Sequence, residues 1–145
     1  MGAGDSDDVL CNCLAVRQAA RQITQLYDAE LAETGLRVTQ YTVLARLARL
    51  GPSTLQGLAD VLVMDRSTLG HNLQPLMRAG YVTMGTDPTD RRVRRLELTA
   101  LGKTTLASAR TSWKRAQQRF HQRFGEAEAA AMRATLRRAV DAATE

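Results

Sequence analysis

Four arginines fall within five positions in the stretch DPTDRRVRRLELT, residues 87–99: Arg91, Arg92, Arg94 and Arg95. Asp87, Pro88 and Asp90 precede them, and an alternating apolar run ending in Thr99 follows. A guanidinium is planar, permanently charged and rich in donors, so it suits phosphate and other oxyanions. The strand-like runs YVTMGT and VRRLELT flank DPTDRR, which makes this stretch the tip of a β-hairpin. Charge at such a tip reads in two ways. Either the tip touches something negative, or it is a solvated turn that tolerates any charge.

A second set of polar side chains lies just upstream. From Asp65, a candidate cap, the apolar residues Leu69, Leu73, Leu76 and Met77 recur at helical spacing, and Gly80 is placed to end the helix. Pro75 sits inside it and should bend or loosen it, although the apolar period continues across. The polar face begins with Arg66, Ser67 and Thr68 and continues with Gly70, His71, Asn72 and Gln74. Short hydroxyl and amide groups near a helix N-terminus can reach base edges, while the free N–H groups there favour phosphate. Ser67, Thr68, His71 and Asn72 are therefore candidates for the groove, and Arg66 and Arg78 for the backbone. The plain alternative is a solvated helix face.

Other chemistries find little here. There is no Gly-rich phosphate loop, nucleophile elbow, His-containing triad or acidic pair in an apolar setting, so no catalytic residues and no enzyme are expected. Cys11 and Cys13 form a C-x-C at the start of the first helix, where two positions turn them about 200° apart and disfavour an internal disulfide. His71 and His121 lie on other elements, so neither a metal site nor a cofactor is expected.

The elements that must position these residues are mostly helical. From Val9 to about Glu33, Cys13, Val16, Ala20, Ile23, Tyr27 and Leu31 lie on one stripe, and Gly35 stops it. A second helix is expected from Thr39 as N-cap through Leu44, Leu47 and Leu50 to Gly51-Pro52. Ser53-Thr54 opens a short third carrying Leu55, Leu58, Ala59 and Leu62. After the hairpin, Thr99 caps a long helix with Leu106, Ala109, Trp113, Ala116, Phe120 and Phe124 in a 3-4 rhythm. Gly125 interrupts it before a final helix carrying Met132, Leu136 and Val140. Helix, helix, helix, helix, hairpin, long helix, helix is the order of a winged helix-turn-helix with extra helices at both ends. The narrow apolar stripes of those outer helices call for a partner helix, hence a dimer.

At 145 residues the chain is one domain by length, with 44% hydrophobic and 24% charged residues, an ordinary globular composition. No apolar run is long enough for a membrane span, and the acidic start MGAGDSDDVL lacks the features of a signal peptide, so a cytoplasmic protein with a frayed tail over residues 1–8 is expected. The formal charge is +5. Six cations (Lys103, Arg110, Lys114, Arg115, Arg119, Arg123) fall between Lys103 and Phe124 with no Asp or Glu among them, which fits either a nucleic-acid binder or a solvated helix.

Two stretches together resemble the MarR family of winged-helix transcription regulators. DPTDRRVRRLELTALGK is similar to that family's wing signature, Asp-Pro-x-Asp-x-Arg, a short strand, then Leu-Thr-x-x-Gly-Lys. LQGLADVLVMDRSTLGHNLQPLMRAGYV is similar to its helix-turn-helix and first wing strand. The resemblance covers about Val9 to Ala139. It implies a mainly α fold with a small β-hairpin wing: residues 9–36 and 102–145 supply dimerisation helices, and 37–101 the winged-helix DNA-binding region. It further implies a homodimer on a pseudo-palindromic double-stranded operator, usually a repressor released by a small effector. Arg92 would enter the minor groove, oriented by Asp90, with Arg91 near phosphate and at most one of Arg94 and Arg95 on Arg92's side of the hairpin; of these two, Arg94 is counted with the DNA-binding set. For an aromatic or amphipathic anion, the lining candidates are Arg17, Tyr27, Tyr41 and Trp113. Some relatives instead sense organic hydroperoxides through a cysteine at the position of Cys13 near tyrosines. Tyr27 fits that pattern, while Val38 stands where a second tyrosine is expected. A ligand-independent DNA-architectural protein is the remaining alternative.

Overall fold

The computed structural model describes residues 10–145; the tail expected over residues 1–8 lies outside the described residues. Six α-helices and one hairpin follow in the order α1 (Asn12–Leu31), α2 (Val38–Leu50), α3 (Leu55–Leu62), α4 (Arg66–Arg78), β1 (Val82–Thr86), β2 (Arg94–Leu98), α5 (Ala100–Phe124) and α6 (Glu126–Ala143). A short 3₁₀ turn, Ala32–Thr34, finishes α1, and Gly35 closes it in the left-handed conformation (φ 76°). This is the mainly α architecture with a small antiparallel wing that the periodicity implies.

Local capping places most of the boundaries. Thr54 accepts from Gly57 N, Asp65 from Thr68 N, and Thr99 from Gly102 N, each satisfying an otherwise free helix N–H. The start of α2 is set differently. Its N-cap is Arg37, not Thr39, and the Val38 amide donates to Asp28 Oδ1 of α1 at 2.7 Å. A carboxylate from the preceding helix does the work that Thr39 was expected to do.

Leucines dominate the core. Leu44 and Leu47 of α2, Leu58 of α3, Leu69, Leu73 and Leu76 of α4 and Leu96 of β2 are essentially inaccessible, and Leu106 and Ala109 of α5 close the cluster. Each fully buried leucine contributes about 1.5–3 kcal/mol. The hairpin pairs Val82 with Leu98 and Thr86 with Arg94, and Ser53 bridges to Leu96 on its other edge, so the wing is rooted on the α2–α3 loop. At the root of α5, Gly102 passes so near the β1 side that an added Cβ would lie 2.1 Å from the Tyr81 carbonyl oxygen. That oxygen already accepts from Thr99 N at 3.1 Å.

The outer helices pack only in part. Along the stripe of α1, Leu31 is buried and Ile23 and Tyr27 are half-buried, whereas Cys13, Val16 and Ala20 are exposed. Phe124 of α5 and Leu136 and Val140 of α6 are exposed as well. No helix among the described residues is long and apolar enough to cross a membrane.

Candidate nucleic-acid interface

The turn between α3 and α4 sets how α4 is presented. Val63 adopts the left-handed conformation (φ 53°), and the amides of Val63 and Met64 donate to the Asp60 and Ala59 carbonyls, so α3 stops within one residue. Asp65 then caps α4, accepting from both the amide and the hydroxyl of Thr68 at 2.7 Å. Those hydrogen bonds, the amide's first, hold the Asp65 carboxyl below its ordinary value. The helix runs through Pro75 to Arg78 with Leu69, Leu73 and Leu76 inward.

The outward face is narrower than the polar sequence suggested. Ser67, His71, Gln74 and Arg78 are exposed at successive spacings of four, three and four, so they line up on one side. Thr68 is exposed too, but its hydroxyl proton is committed to Asp65. Asn72 is half-buried and its amide donates to Met64 Sδ at 3.7 Å. Gln74, left out of the base-facing candidates, belongs geometrically with Ser67 and His71. Helical spacing held that signal.

The wing tip is two successive Asx turns. Asp87 Oδ1 accepts from the amide and hydroxyl of Thr89 at 2.8 and 2.7 Å, and Asp90 Oδ1 accepts from the Arg92 amide at 3.0 Å. The same Asp90 carboxylate meets the Arg92 guanidinium, Nε to Oδ1 3.2 Å and Nη2 to Oδ2 3.5 Å. Arg92 is nevertheless 91% exposed, a cation braced on one side and open on the others. Arg91 is exposed.

Arg94 and Arg95 do point apart. Arg94 stays exposed with Nη1 near Met84 Sδ, whereas Arg95 pairs with the buried Asp87 and donates to the Pro52 carbonyl at 3.3 Å. The Thr89 hydroxyl and amide, then Arg95, hold Asp87 far below the ordinary carboxyl range. Arg95 thus anchors the wing to the α2–α3 loop. Between the wing and the starts of α3 and α4 opens a cleft of about 430 Å³ lined by Arg66, Arg92, Arg94, Met84, Gln56 and neighbouring residues. Three arginines line it, and no Asp or Glu does. Such a cleft suits a polyanion passing between helix and wing.

The basic stretch of α5 divides differently. Arg115 bonds both Glu30 of α1 (3.3 Å) and Glu33 of the 3₁₀ turn that follows it, Arg119 bonds Glu30, and the Ser112 hydroxyl donates to Glu33. Hydrogen bonds from Arg119 to Glu30, and from Ser112 to Glu33, hold both carboxyls below their ordinary value. These two cations clamp α5 to α1. Lys103, Arg110, Lys114 and Arg123 are exposed.

The proposed effector residues do not form one lining. Tyr41 is only 5% exposed and its ring stacks on Trp113 at 5.8 Å, a core contact between α2 and α5. Tyr27 is half-buried, its hydroxyl bonded to Gln117, and burial raises its pKa. Arg17 is exposed beside Ala20, Arg21, Thr24 and Gln25 on the outer half of α1. Cys11 and Cys13 are exposed free thiols, and Cys11 Sγ caps α1 by accepting from Leu14 N at 3.4 Å. Fourteen residues of helix separate Cys13 from Tyr27, about 21 Å. Among the described residues no group of three or more His, Cys, Asp or Glu is placed to hold a metal ion.

Comparison with known proteins matches residues 34–93 to a MarR family model. No curated protein matches. Among solved structures, the M. tuberculosis transcriptional regulator MosR in complex with DNA is 34% identical, with a TM-score of 0.80, over 93% of this chain and 99% of that one. The PcaV transcriptional regulator from Streptomyces coelicolor, in complex with its natural ligand, is 25% identical with a TM-score of 0.85, over 99% and 100% of the two chains. A mutant MarR from E. coli complexed with operator DNA shares the fold at 19% identity and a TM-score of 0.80, over 91% and 95%.

Proposed function

The chain belongs to the MarR family of DNA-binding transcription regulators, and from that premise we propose that it acts as a homodimeric repressor on a pseudo-palindromic operator and lets go when a small amphipathic anion binds. The observation that carries this reading is the wing cleft, lined by Arg66, Arg92 and Arg94 beside the exposed face of α4. Arg92, braced by Asp90 and otherwise open, suits the narrow minor groove, where negative potential is greatest. Ser67 and His71 face the major groove, and Arg66, Arg78 and Arg91 reach phosphate. Thr68 and Asn72 serve mainly to shape the start of α4.

The exposed apolar residues on the outer half of α1 and on α6 support a second copy as partner, since large apolar side chains along helices are costly to leave in water. Two copies then offer two reading helices to half-sites about one helical turn apart, roughly 34 Å. A small-molecule effector is supported by the likeness to PcaV, whose structure holds its natural ligand. Of the lining candidates, Arg17 and Tyr27 fit that role better than the Tyr41–Trp113 stack. The redox alternative rests on Cys13, which is exposed in the first turn of α1. Such a regulator works where the DNA is, in the cytoplasm, and is not an enzyme.

Selection of bound duplexes from a random library tests the reading. Enrichment of a two-fold symmetric sequence, bound well above its scrambled version, is the expected result. Equal binding to every duplex would overturn it in favour of an architectural protein. Release of the selected duplex by aromatic carboxylates supports the effector, whereas release by organic hydroperoxide, reversed by reductant and absent in Cys13→Ser, would replace it with the redox reading.

A further inference from the structure

Gly70 occupies the fifth position of α4. A glycine inside a helix needs a reason, because it gives up the most backbone freedom on folding and ranks only above proline in helix propensity. The usual reasons are missing here. Its φ is not in the left-handed region, where Gly35, Gly51, Gly80 and Gly125 lie. No atom stands within 4 Å of the place a Cβ would take, in contrast to Gly102, where the Tyr81 backbone would collide with one. Alanine at position 70 would therefore fit the fold and strengthen the helix.

What the glycine does leave is a bare patch of backbone on the outward side. Residues three and four away are surface neighbours on a helix, so Gly70 adjoins Arg66 and Ser67 on one turn and Gln74 on the next. Arg66 lines the wing cleft, and Ser67 and Gln74 lie on the exposed reading face. The gap thus lies between the two surfaces that the DNA would touch. Ser67 has only a hydroxyl beyond its Cβ, so it reaches a base edge only where the helix axis lies deep in the groove. A methyl group at position 70 would hold the helix away.

We propose that Gly70 is a specificity-determining residue, its missing side chain letting a base-pair edge approach the α4 backbone closely enough for Ser67 to read it. The inference rests on the regulator reading above. Glycine is the residue that allows such an approach of backbone to ligand, and tolerating its conformational cost is what a binding surface, not a core, would select.

The test uses the full chain with Gly70→Ala. Three measurements are made: the melting temperature, the affinity for the selected duplex and for its scrambled version, and a repeat of the library selection with the variant. The expected result is a higher melting temperature and unchanged affinity for the scrambled duplex. Affinity for the selected duplex should fall by roughly tenfold, the scale of losing one good base contact. The repeated selection should return a changed base preference at one symmetric pair of positions. A variant that binds the selected duplex as tightly as wild type, or loses affinity for both duplexes equally, overturns the proposal. A melting temperature below wild type overturns it as well, because the fold itself would then need the glycine. A wild-type protein with no preference among duplexes overturns the regulator reading and this proposal together, whereas the preceding outcomes leave that reading standing.

Discussion

Gly102→Ala puts the joint between wing and long helix to a quantitative test. The new Cβ would stand 2.1 Å from the Tyr81 carbonyl oxygen, where side-chain carbons essentially never come closer than 3.0 Å. The helix root and the Tyr81 backbone must therefore separate by about 0.9 Å, and the obstacle is main chain with no rotamer to swing aside. Overpacking of this kind costs about 1–3 kcal/mol. The same movement stretches the hydrogen bond from Thr99 N to Tyr81 O, 3.1 Å in the native fold, worth about 1 kcal/mol. Against this, alanine is a better helix former than glycine by about 1 kcal/mol. The net expectation is a loss of about 1–3 kcal/mol, or a melting temperature lower by roughly 2–12 °C for a chain of this size. Urea unfolding measures it directly, with the midpoint falling at unchanged slope. Because Tyr81 leads straight into β1, operator affinity should fall as well. A variant as stable as wild type would refute the reasoning, since it would mean that the helix root is free to move.

Three further predictions concern other parts of the molecule. Arg92→Ala should weaken operator binding by about 1–3 kcal/mol at matched salt while leaving the melting temperature unchanged, and equal affinity by anisotropy would remove Arg92 from the minor groove. Val63→Gly should stabilise the fold by about 0.5–1 kcal/mol, because the left-handed conformation costs a β-branched residue about 1–2 kcal/mol and glycine gives back about half of that in the unfolded chain; a lower denaturation midpoint would contradict it. Glu30 and Glu33 titrate below their ordinary value of 4.5 in the fold, so their contribution is present above that pH and lost as pH falls through the lower folded-state value. The melting-temperature advantage of wild type over Glu30→Gln should accordingly be present at neutral pH and shrink in acid. A constant difference across that range would show that the clamp acts by packing and not by charge.

What the sequence revealed depended on how far each cause lay along the chain. Thr54, Asp65 and Thr99 were readable as caps because each bonds an amide three residues on. The α2 cap was misplaced at Thr39 because its true acceptor, Asp28, sits ten residues upstream in another helix. Arg115 and Arg119 looked like part of a basic strip because Glu30 and Glu33 are more than 80 positions away. Tyr41 looked like a lining residue until its stack on Trp113 placed it in the core. Within the interface, the split of Arg94 from Arg95 followed from strand alternation. The inward turn of Asn72 toward Met64 did not follow from any local pattern, because it depends on where α3 ends.

The Asp28–Val38 hydrogen bond also bears on modularity. A winged helix-turn-helix invites excision, with the outer helices treated as removable handles. Here the first amide of α2, which has no partner within its own helix, is completed by a side chain from such a handle, and Glu30 and Glu33 tie the same helical segment to α5. The segment 37–101 is consequently not a portable cassette. Transplanted without Asp28 it would carry a frayed end beside its own core, so any chimera that borrows this reading head must borrow the end of α1 with it.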